Sequence, residues 1–240
     1  MDSKTVGGNP PIAILVNGGS SSGKSTLCRA LQARLIKLAD GAAESSFASV
    51  AFDDFLLMIS PKHYPISFVE AQGGDTSELV SRSFNDGRAA WEYLEDRPAV
   101  EAYEGKPYLR LELSSWGRQI LRGVHESWGL HLQLGTHLII DHFLQNEDWC
   151  AEVLRVLRGV EARTFLVGVF CDVDEMERRE AYRSDGSVEG RPLGLARRSA
   201  DLCHAHELKY DVQIHTDRQT TGEAVDLIMA AFEKATDLAS

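Results

Sequence analysis

The stretch that decides the fold of this chain is Gly18-Gly19-Ser20-Ser21-Ser22-Gly23-Lys24-Ser25-Thr26. It follows the apolar run 12–17 and precedes a helical pattern over 25–38. The spacing G-x-x-x-x-G-K-[ST] predicts a loop whose backbone N–H groups surround a polyphosphate, with Lys24 at the outer phosphates and the Ser25 hydroxyl on Mg²⁺. The positive end of the following helix dipole would add to this attraction. A Gly/Ser-rich linker, the alternative, does not explain a lysine at this offset between a strand and a helix.

Strand and helix signals alternate on both sides of this loop. Five short apolar segments predict buried parallel strands, at 12–17, 48–52, 137–140, 164–170 and 211–215. Helical periodicity predicts six helices, at 25–38, 114–134, 147–157, 174–183, 194–208 and 221–235. The alternation predicts a three-layer α/β/α fold around a five-stranded parallel sheet. Ligands of such folds gather at the carboxyl ends of the strands.

The chain is long enough for one domain with a full core, since it has 240 residues of which 43% are hydrophobic. Residues from about 60 to 113 break the alternation with prolines, a glycine pair and several aromatic residues. We therefore predict a single domain over 1–240 with an insertion or flap there. Its aromatic side chains could cover an acceptor molecule or only pack the insertion on the sheet, and the sequence leaves both open.

Charge and composition restrict the partners. The net charge of −11 and the pI of about 5.2 argue against nucleic-acid binding. No apolar signal segment begins the chain and no apolar stretch reaches the roughly 18 residues of a membrane span, so we expect a soluble cytoplasmic protein. Its four separated cysteines predict neither disulfides nor a zinc ribbon. His204 and His206 would point to different faces of a helix, which argues against a metal there. The oligomeric state is not indicated.

Two adjacent carboxylates, Asp53 and Asp54, follow the second predicted strand. In the predicted fold this strand end faces the phosphate loop, which is the place for a general base that accepts or orients the proton of an acceptor hydroxyl. The alternative is a helix N-cap, for which aspartate is a preferred residue. The two roles can also be divided between the pair.

A third carboxylate, Asp141, ends the third predicted strand. An aspartate after an apolar run at this position predicts a residue that orients Mg²⁺, directly or through water. A capping or acceptor-binding role is the alternative. The next residue, His142, is interpreted as a structural or substrate-contacting histidine without a chemical role.

Arginines cluster after the fourth predicted strand, around a glycine-containing loop, although the chain as a whole is acidic. They are Arg178, Arg179, Arg183, Arg191, Arg197 and Arg198. Helix, loop and helix over about 174–208 predict a lid that brings guanidinium groups onto phosphates. Arg179 and Arg183, four residues apart on one helix face, are the favoured candidates, followed by Arg191. Exposed arginines paired with glutamates of the same helix are the alternative for some of the six.

These motifs together resemble the chloramphenicol phosphotransferase family of the P-loop kinase superfamily. The matching places are Asn17-Gly18-Gly19-Ser20-Ser21-Ser22-Gly23-Lys24-Ser25, Phe52-Asp53-Asp54-Phe55, Ile139-Ile140-Asp141, Val167-Gly168-Val169-Phe170-Cys171-Asp172, Arg179-Glu180, Arg183-Ser184-Asp185, Arg191-Pro192-Leu193-Gly194-Leu195-Ala196 and Tyr210-Asp211-Val212. The resemblance implies O-phosphorylation of an acceptor by ATP, with Asp53 as the base toward a hydroxyl. Asp54 and the long segment between the second and third strands depart from the family pattern, so the acceptor is not identified.

The leading hypothesis is an ATP- and Mg²⁺-dependent kinase for the hydroxyl of a small molecule. An antibiotic such as chloramphenicol is one candidate acceptor, which would give resistance or self-protection. A nucleoside or sugar kinase of the same fold and a nucleotide-binding regulatory protein with little turnover are the alternatives. Asp53 favours catalysis, because a protein that only binds nucleotide does not need a carboxylate beside the γ-phosphate.

Overall fold

The computed structural model describes residues 10–38, 47–54, 67–69, 108–110, 115–182, 195–206 and 208–237. Arg183 and Arg191 lie outside the described residues, as does most of the insertion predicted at about 60–113. The functional roles predicted for these two arginines and for the flap therefore stay predictions.

Seven strands and six helices occur in the described ranges. The strands are β1 (Ile12–Gly18), β2 (Phe47–Ala51), β3 (Ser67–Val69), β4 (Tyr108–Arg110), β5 (His137–His142), β6 (Arg163–Phe170) and β7 (Val212–His215). The helices are α1 (Lys24–Leu38), α2 (Ser115–Gln133), α3 (Glu147–Gly159), α4 (Val173–Ala181), α5 (Leu195–Leu202) and α6 (Thr221–Asp237). Five strands form a parallel sheet in the order β2-β5-β1-β6-β7, and β3 pairs with β4 in a separate antiparallel ribbon.

The main sheet is covered by helices on both faces, which explains why its strands are continuous apolar runs. Residues 13–16 of the central strand β1 are at most 1% exposed. Alternate residues point to opposite faces. Ile14 and Val16 pack in a cluster with α1 and α6, whereas Ala13 and Leu15 pack with α2 and α3. The three-layer parallel fold predicted from the sequence is confirmed.

The strand register brings the predicted site residues to one edge of the sheet. Asn17, next to last in β1, lies opposite His142 of β5 and Gly168 of β6. Ala51, the last residue of β2, lies opposite Asp141 of β5. The segments that carry the phosphate loop, the Asp53–Asp54 pair and Asp141 therefore leave the sheet side by side.

Among the predicted boundaries that differ from the structure, two bear on the candidate site. The second strand ends at Ala51 instead of residue 52, because Phe52 turns into a single helical turn with Asp53 and Asp54. The helix predicted over 194–208 ends at Leu202. Beyond this helix end, His204 and His206 contact different partners, as described below. No helix among the described residues is both long and apolar enough to cross a membrane.

Candidate active site

The phosphate loop, residues 18–25, joins β1 to α1, and its glycines are required by close packing. A Cβ on Gly18 would lie 2.5 Å from the carbonyl oxygen of Val169, and one on Gly19 would lie 2.7 Å from the Cε methyl of Met176. A side chain at position 18 would therefore push the loop away from the backbone of β6, whereas one at position 19 would displace the flexible end of Met176 in α4. Gly23 has φ +92°, a left-handed conformation that glycine adopts without the strain of a Cβ. The glycine spacing is thus explained by the backbone path.

Two side chains from distant segments hold the loop in this path. The Ser20 N–H donates to Ser199 Oγ of α5 at 2.8 Å. Thr216, directly after β7, donates its hydroxyl to the Ser22 carbonyl at 2.6 Å. The sequence analysis missed both Ser199 and Thr216, because a serine or threonine 179 or 194 positions further along the chain carries no local signal of such a contact.

Asn17 is a third residue whose role was missed, although it was quoted in the motif. Its side chain is fully buried. Its Nδ2 donates to the Cys203 carbonyl at 2.6 Å and to the Tyr210 hydroxyl at 2.7 Å. Its Oδ1 accepts from the Leu144 N–H at 2.8 Å. All the polar atoms of this buried amide are therefore used to tie the end of β1 to the segments after β5 and α5.

Lys24 and Ser25 bond to neighbouring parts of the candidate site, and their predicted roles toward phosphate and Mg²⁺ stay predictions. Lys24 Nζ donates to the Gly19 carbonyl at 2.8 Å, so the lysine side chain extends along the phosphate loop. Ser25 Oγ donates to Asp141 Oδ2 at 2.6 Å, which joins α1 to the end of β5. Since α1 begins at Lys24, the N–H groups of Lys24, Ser25 and Thr26 have no acceptor within the helix and can face an anion.

These residues fit a nucleotide polyphosphate with Mg²⁺. The hydroxyl oxygens of Ser21 and Ser22 are buried and make no hydrogen bond within the described part of the chain. A ligand with acceptor oxygens would satisfy them. The hydroxyl of Ser25 and the carboxylate of Asp141 are hard oxygen donors, which Mg²⁺ prefers. Asp141 is 7% exposed and lies at the end of a buried strand, which is suited to a fixed ligand.

Asp53 and Asp54 lie in the single helical turn that follows β2. Asp54 Oδ2 accepts a hydrogen bond from the Ala51 N–H at 3.2 Å, three residues earlier. Asp54 thus bonds back to the residue before the turn, as the N3 residue of a capping box does, and is not itself the N-cap residue of the predicted alternative. Asp53 is exposed in the same turn and directly follows Phe52, which is 3% exposed. Both carboxylates of this turn are exposed, so the contact of Asp53 with an acceptor stays a prediction.

His142, interpreted from the sequence as a structural or substrate-contacting histidine, is fully buried. Its ring stacks on Phe52 at 5.3 Å between centroids and bonds through Nε2 to Nε2 of His125 at 2.9 Å. This placement favours the structural alternative, and the substrate contact stays a prediction.

Arg179 of α4 lies beside the phosphate loop. Its guanidinium donates to the Thr216 carbonyl at 2.8 Å, to the Thr216 hydroxyl at 3.0 Å and to the Ser22 carbonyl at 3.4 Å. Its Nε donates to Glu175 at 2.8 Å. Hydrogen bonds from Arg178 and Arg179 lower the pKa of Glu175 to about 2. An ionised Glu175 thus helps to hold the planar fork of Arg179 at the loop.

Arg197 and Glu177 form an ion pair that joins α5 to α4. The Ala196 N–H adds a bond of 3.0 Å to Glu180. These contacts pack the two described helices of the predicted lid against each other. Arg197 thereby matches the alternative of an arginine paired with a glutamate, although its partner lies on the neighbouring helix.

His204 and His206 contact different partners beyond α5. His204 stacks on Phe170 at 3.9 Å and its Nδ1 lies 2.8 Å from the Tyr210 hydroxyl. Burial lowers the pKa of His204 to about 4. His206 Nε2 lies 3.1 Å from the Leu144 carbonyl. Both rings therefore serve the packing of the loops around Asn17.

Comparison with solved structures shows where this fold occurs. A sugar kinase from Janibacter sp. HTCC2649 aligns with a TM-score of 0.53 at 16% identity, covering 93% of this chain and 95% of that one. The APS kinase of Mycobacterium tuberculosis, in complex with AMPPNP and APS, aligns with a TM-score of 0.51 at 14% identity, covering 93% and 98%. A gluconokinase from Sinorhizobium meliloti 1021 gives a TM-score of 0.51 at 12% identity, covering 95% of each chain. At these identities the likeness shows the fold, that of the P-loop kinases.

Sequence comparison identifies the family of this chain. A Mycobacterium tuberculosis protein named "Putative O-phosphotransferase", from strain H37Rv, is 27% identical over 203 residues, which cover 85% of this chain and 74% of that protein. Its counterpart in strain CDC 1551 matches equally well. The family described as chloramphenicol phosphotransferase-like protein matches residues 12–233. This chain therefore belongs to the chloramphenicol phosphotransferase-like family.

Proposed function

We propose that this chain transfers the γ-phosphoryl group of ATP to a hydroxyl group of a small molecule. The observation that carries the proposal is the 2.6 Å bond from Ser25 to Asp141, which joins the phosphate loop to the end of β5. The exposed Asp53 follows the adjacent strand β2. A polyphosphate site and a solvent-facing carboxylate thus lie at neighbouring strand ends, as a hydroxyl kinase requires.

Each residue has a separate task in this proposal. Asp53 accepts the proton of the acceptor hydroxyl while the acceptor oxygen bonds to the γ-phosphorus. The bond from that phosphorus to the bridging oxygen breaks, and ADP leaves with the electron pair. Lys24 and the N–H groups at the start of α1 neutralise charge on the phosphate oxygens. Mg²⁺, held by Ser25 and Asp141, would supply further charge neutralisation there.

A pocket beside Asp54 supports an acceptor of low polarity. Its volume is about 390 Å³, within the range for small-molecule sites. The lining comes from the end of β2 and from one face of α2, and includes Ala51, Asp54, Ile120, Val124, Ser127 and Trp128. Three of these side chains are large and apolar, so the pocket suits a compact apolar body whose hydroxyl is presented to the turn at Asp53. Chloramphenicol is one candidate.

An acceptor screen tests the proposal. The protein is incubated with ATP and Mg²⁺ and with hydroxylated antibiotics, nucleosides, sugars and nucleoside monophosphates in turn, and products are identified by mass spectrometry. We expect a phosphorylated alcohol on a compact, weakly polar scaffold. Conversion of a nucleoside monophosphate alone to a diphosphate would mean that the acceptor is a phosphate, and the role of Asp53 as a base would be abandoned. Absence of ATP consumption with every acceptor would favour a regulatory nucleotide-binding protein.

The proposal also assigns Arg179 to the charge that develops on the transferring phosphoryl group. Arg179→Lys keeps the charge but cannot reproduce the planar fork that bonds Thr216 and Glu175 together. We expect kcat to fall about tenfold or more, since a hydrogen bond to a charged group contributes roughly 1.5–3 kcal/mol. The affinity for ATP should change less than kcat.

Arg178→Lys is the matched control for this change. Arg178 lies on the same helix and shares Glu175, but it is exposed and does not reach the phosphate loop among its described contacts. It should keep full kcat. Full turnover in Arg179→Lys as well would assign Arg179 to loop packing alone.

A further inference from the structure

A chain of hydrogen bonds that the proposed chemistry does not use runs through the layer of helices next to the site. His125 of α2 and His142 of β5 are both fully buried, and their Nε2 atoms lie 2.9 Å apart. The other ring nitrogen of His125, Nδ1, lies 2.5 Å from Glu152 Oε1 of α3. The Glu152 side chain is 28% exposed. One carboxylate near the surface is thus linked through two buried rings to the end of β5.

The bonding pattern fixes the positions of the protons. A carboxylate only accepts, so the proton of His125 lies on Nδ1. Burial lowers the pKa of His125, so its ring is neutral and carries only this one proton. Nε2 of His125 is then an acceptor, and His142 must donate from Nε2. Glu152 therefore determines which nitrogen of His142 carries its proton, although the two residues do not touch.

The His142 ring contacts the turn that carries Asp53 through the side chain of Phe52. Its ring stacks on that of Phe52 with an interplanar angle of 27°. Trp149 of α3 packs on Phe52 as well, at 5.5 Å, and Trp128 of α2 meets His142 edge-on at 5.6 Å. Phe52 is 3% exposed and directly precedes Asp53. Phe52, the first residue of the turn that carries Asp53, is therefore packed between the His142 and Trp149 rings.

A polar chain in this position needs an explanation beyond packing. Burying two imidazoles costs free energy unless every proton finds its acceptor, whereas apolar residues of similar size would fill the space without that cost. The hydrogen bonds of the polar chain fix the rotation of the imidazole rings, which apolar contacts alone would leave free.

We propose that Glu152 and His125 are positioning residues for phosphoryl transfer, which act through His142 and Phe52 to hold Asp53 in place. This inference rests on the proposed function, in which Asp53 meets the acceptor. Neither residue contacts the phosphate loop in any described contact, so their removal should affect the reaction step and not the binding of ATP.

Three variants separate this role from ordinary helix packing. Glu152→Ala removes the acceptor of His125 Nδ1, and Glu152→Gln keeps a carbonyl oxygen that can accept the same bond. Glu126→Ala is the control, because it breaks the exposed 2.5 Å ion pair between Glu126 of α2 and Arg155 of α3 without touching the histidines. All three are compared by kcat, KM for ATP and thermal unfolding.

We expect Glu152→Ala to lower kcat about tenfold with an unchanged KM for ATP, somewhat less than the roughly hundredfold loss that a 1 Å misplacement can cause. Glu152→Gln and Glu126→Ala should keep the wild-type kcat. The proposal is overturned if folded Glu152→Ala keeps full kcat, if Glu126→Ala loses as much, or if Glu152→Gln is as slow as the alanine variant.

A measurement of the imidazole nitrogens tests the chain without any activity. In ¹⁵N-histidine-labelled protein, two-bond ¹⁵N–¹H spectra should show His125 protonated at Nδ1 and His142 protonated at Nε2. Glu152→Ala should change this pattern and Glu152→Gln should preserve it. Unchanged tautomers in Glu152→Ala would overturn the inference. A wild-type protein that phosphorylates no acceptor would instead refute the proposed function, and the spectra would still decide whether Glu152 orients His142.

Discussion

Asp53→Asn is expected to lower the rate of phosphoryl transfer by about two to four powers of ten, the range typical for loss of a general base. The amide has nearly the shape of the carboxylate, so the turn after β2 should keep its structure, but it cannot accept the proton of the acceptor hydroxyl. Because Asp53 meets the acceptor hydroxyl and does not bind the triphosphate in the proposed function, ATP should bind as before. The measurement is kcat with a phosphorylated acceptor identified by mass spectrometry, together with the dissociation constant of ATP.

Asp54→Asn is the natural control for this variant. Its carboxylate accepts the Ala51 N–H at 3.2 Å, and an asparagine oxygen can accept the same bond. We expect a mild effect on kcat and a small loss of stability. If Asp54→Asn is the crippling change and Asp53→Asn the mild one, the roles of the two residues have been assigned the wrong way round.

Lys24→Ala is expected to reduce transfer about a hundredfold or more, as removal of one well-placed charge-stabilising group commonly does. The Nζ atom donates to the Gly19 carbonyl and does not belong to the apolar core, so the fold should survive. Circular dichroism and thermal unfolding check the fold, and ATP turnover checks the effect. Lys37→Ala, an exposed lysine in the last turn of the same helix, is the control and should be fully active. Unchanged turnover in Lys24→Ala would refute the assignment of the phosphate loop.

The sequence predicted the architecture well, because buried parallel strands and amphipathic helices each leave a periodic signal in the chain. The family resemblance and the five-stranded sheet are confirmed. The end of β2 was placed one residue too late, since an apolar Phe52 continues a strand pattern as well as it begins a helical turn. The functional roles of Asp53, Asp141 and Arg179 stay predictions, although the structure brings Asp141 and Arg179 to the phosphate loop.

The contacts that the sequence did not predict are those made between distant segments. Ser199 and Thr216 bond to the phosphate loop across 179 and 194 positions of the chain. His125 occupies the buried face of α2, where a single histidine among apolar residues has no pattern that names its partners. Such contacts depend on how the helices pack on the sheet. Periodicity indicates which face of a helix is buried, but not which residues that face contacts.

The three hydrogen bonds of Asn17 affect how readily the end of β1 unfolds locally. Loops at ligand sites often belong to the regions that unfold locally at little free-energy cost. Here the strand that feeds the phosphate loop is bonded to Leu144, Cys203 and Tyr210, so detaching it exposes three buried polar groups at once. The end of β1 is therefore part of the same cooperative unit as the central sheet, and the hydrogen bonds of Asn17 should break only when the domain unfolds as a whole.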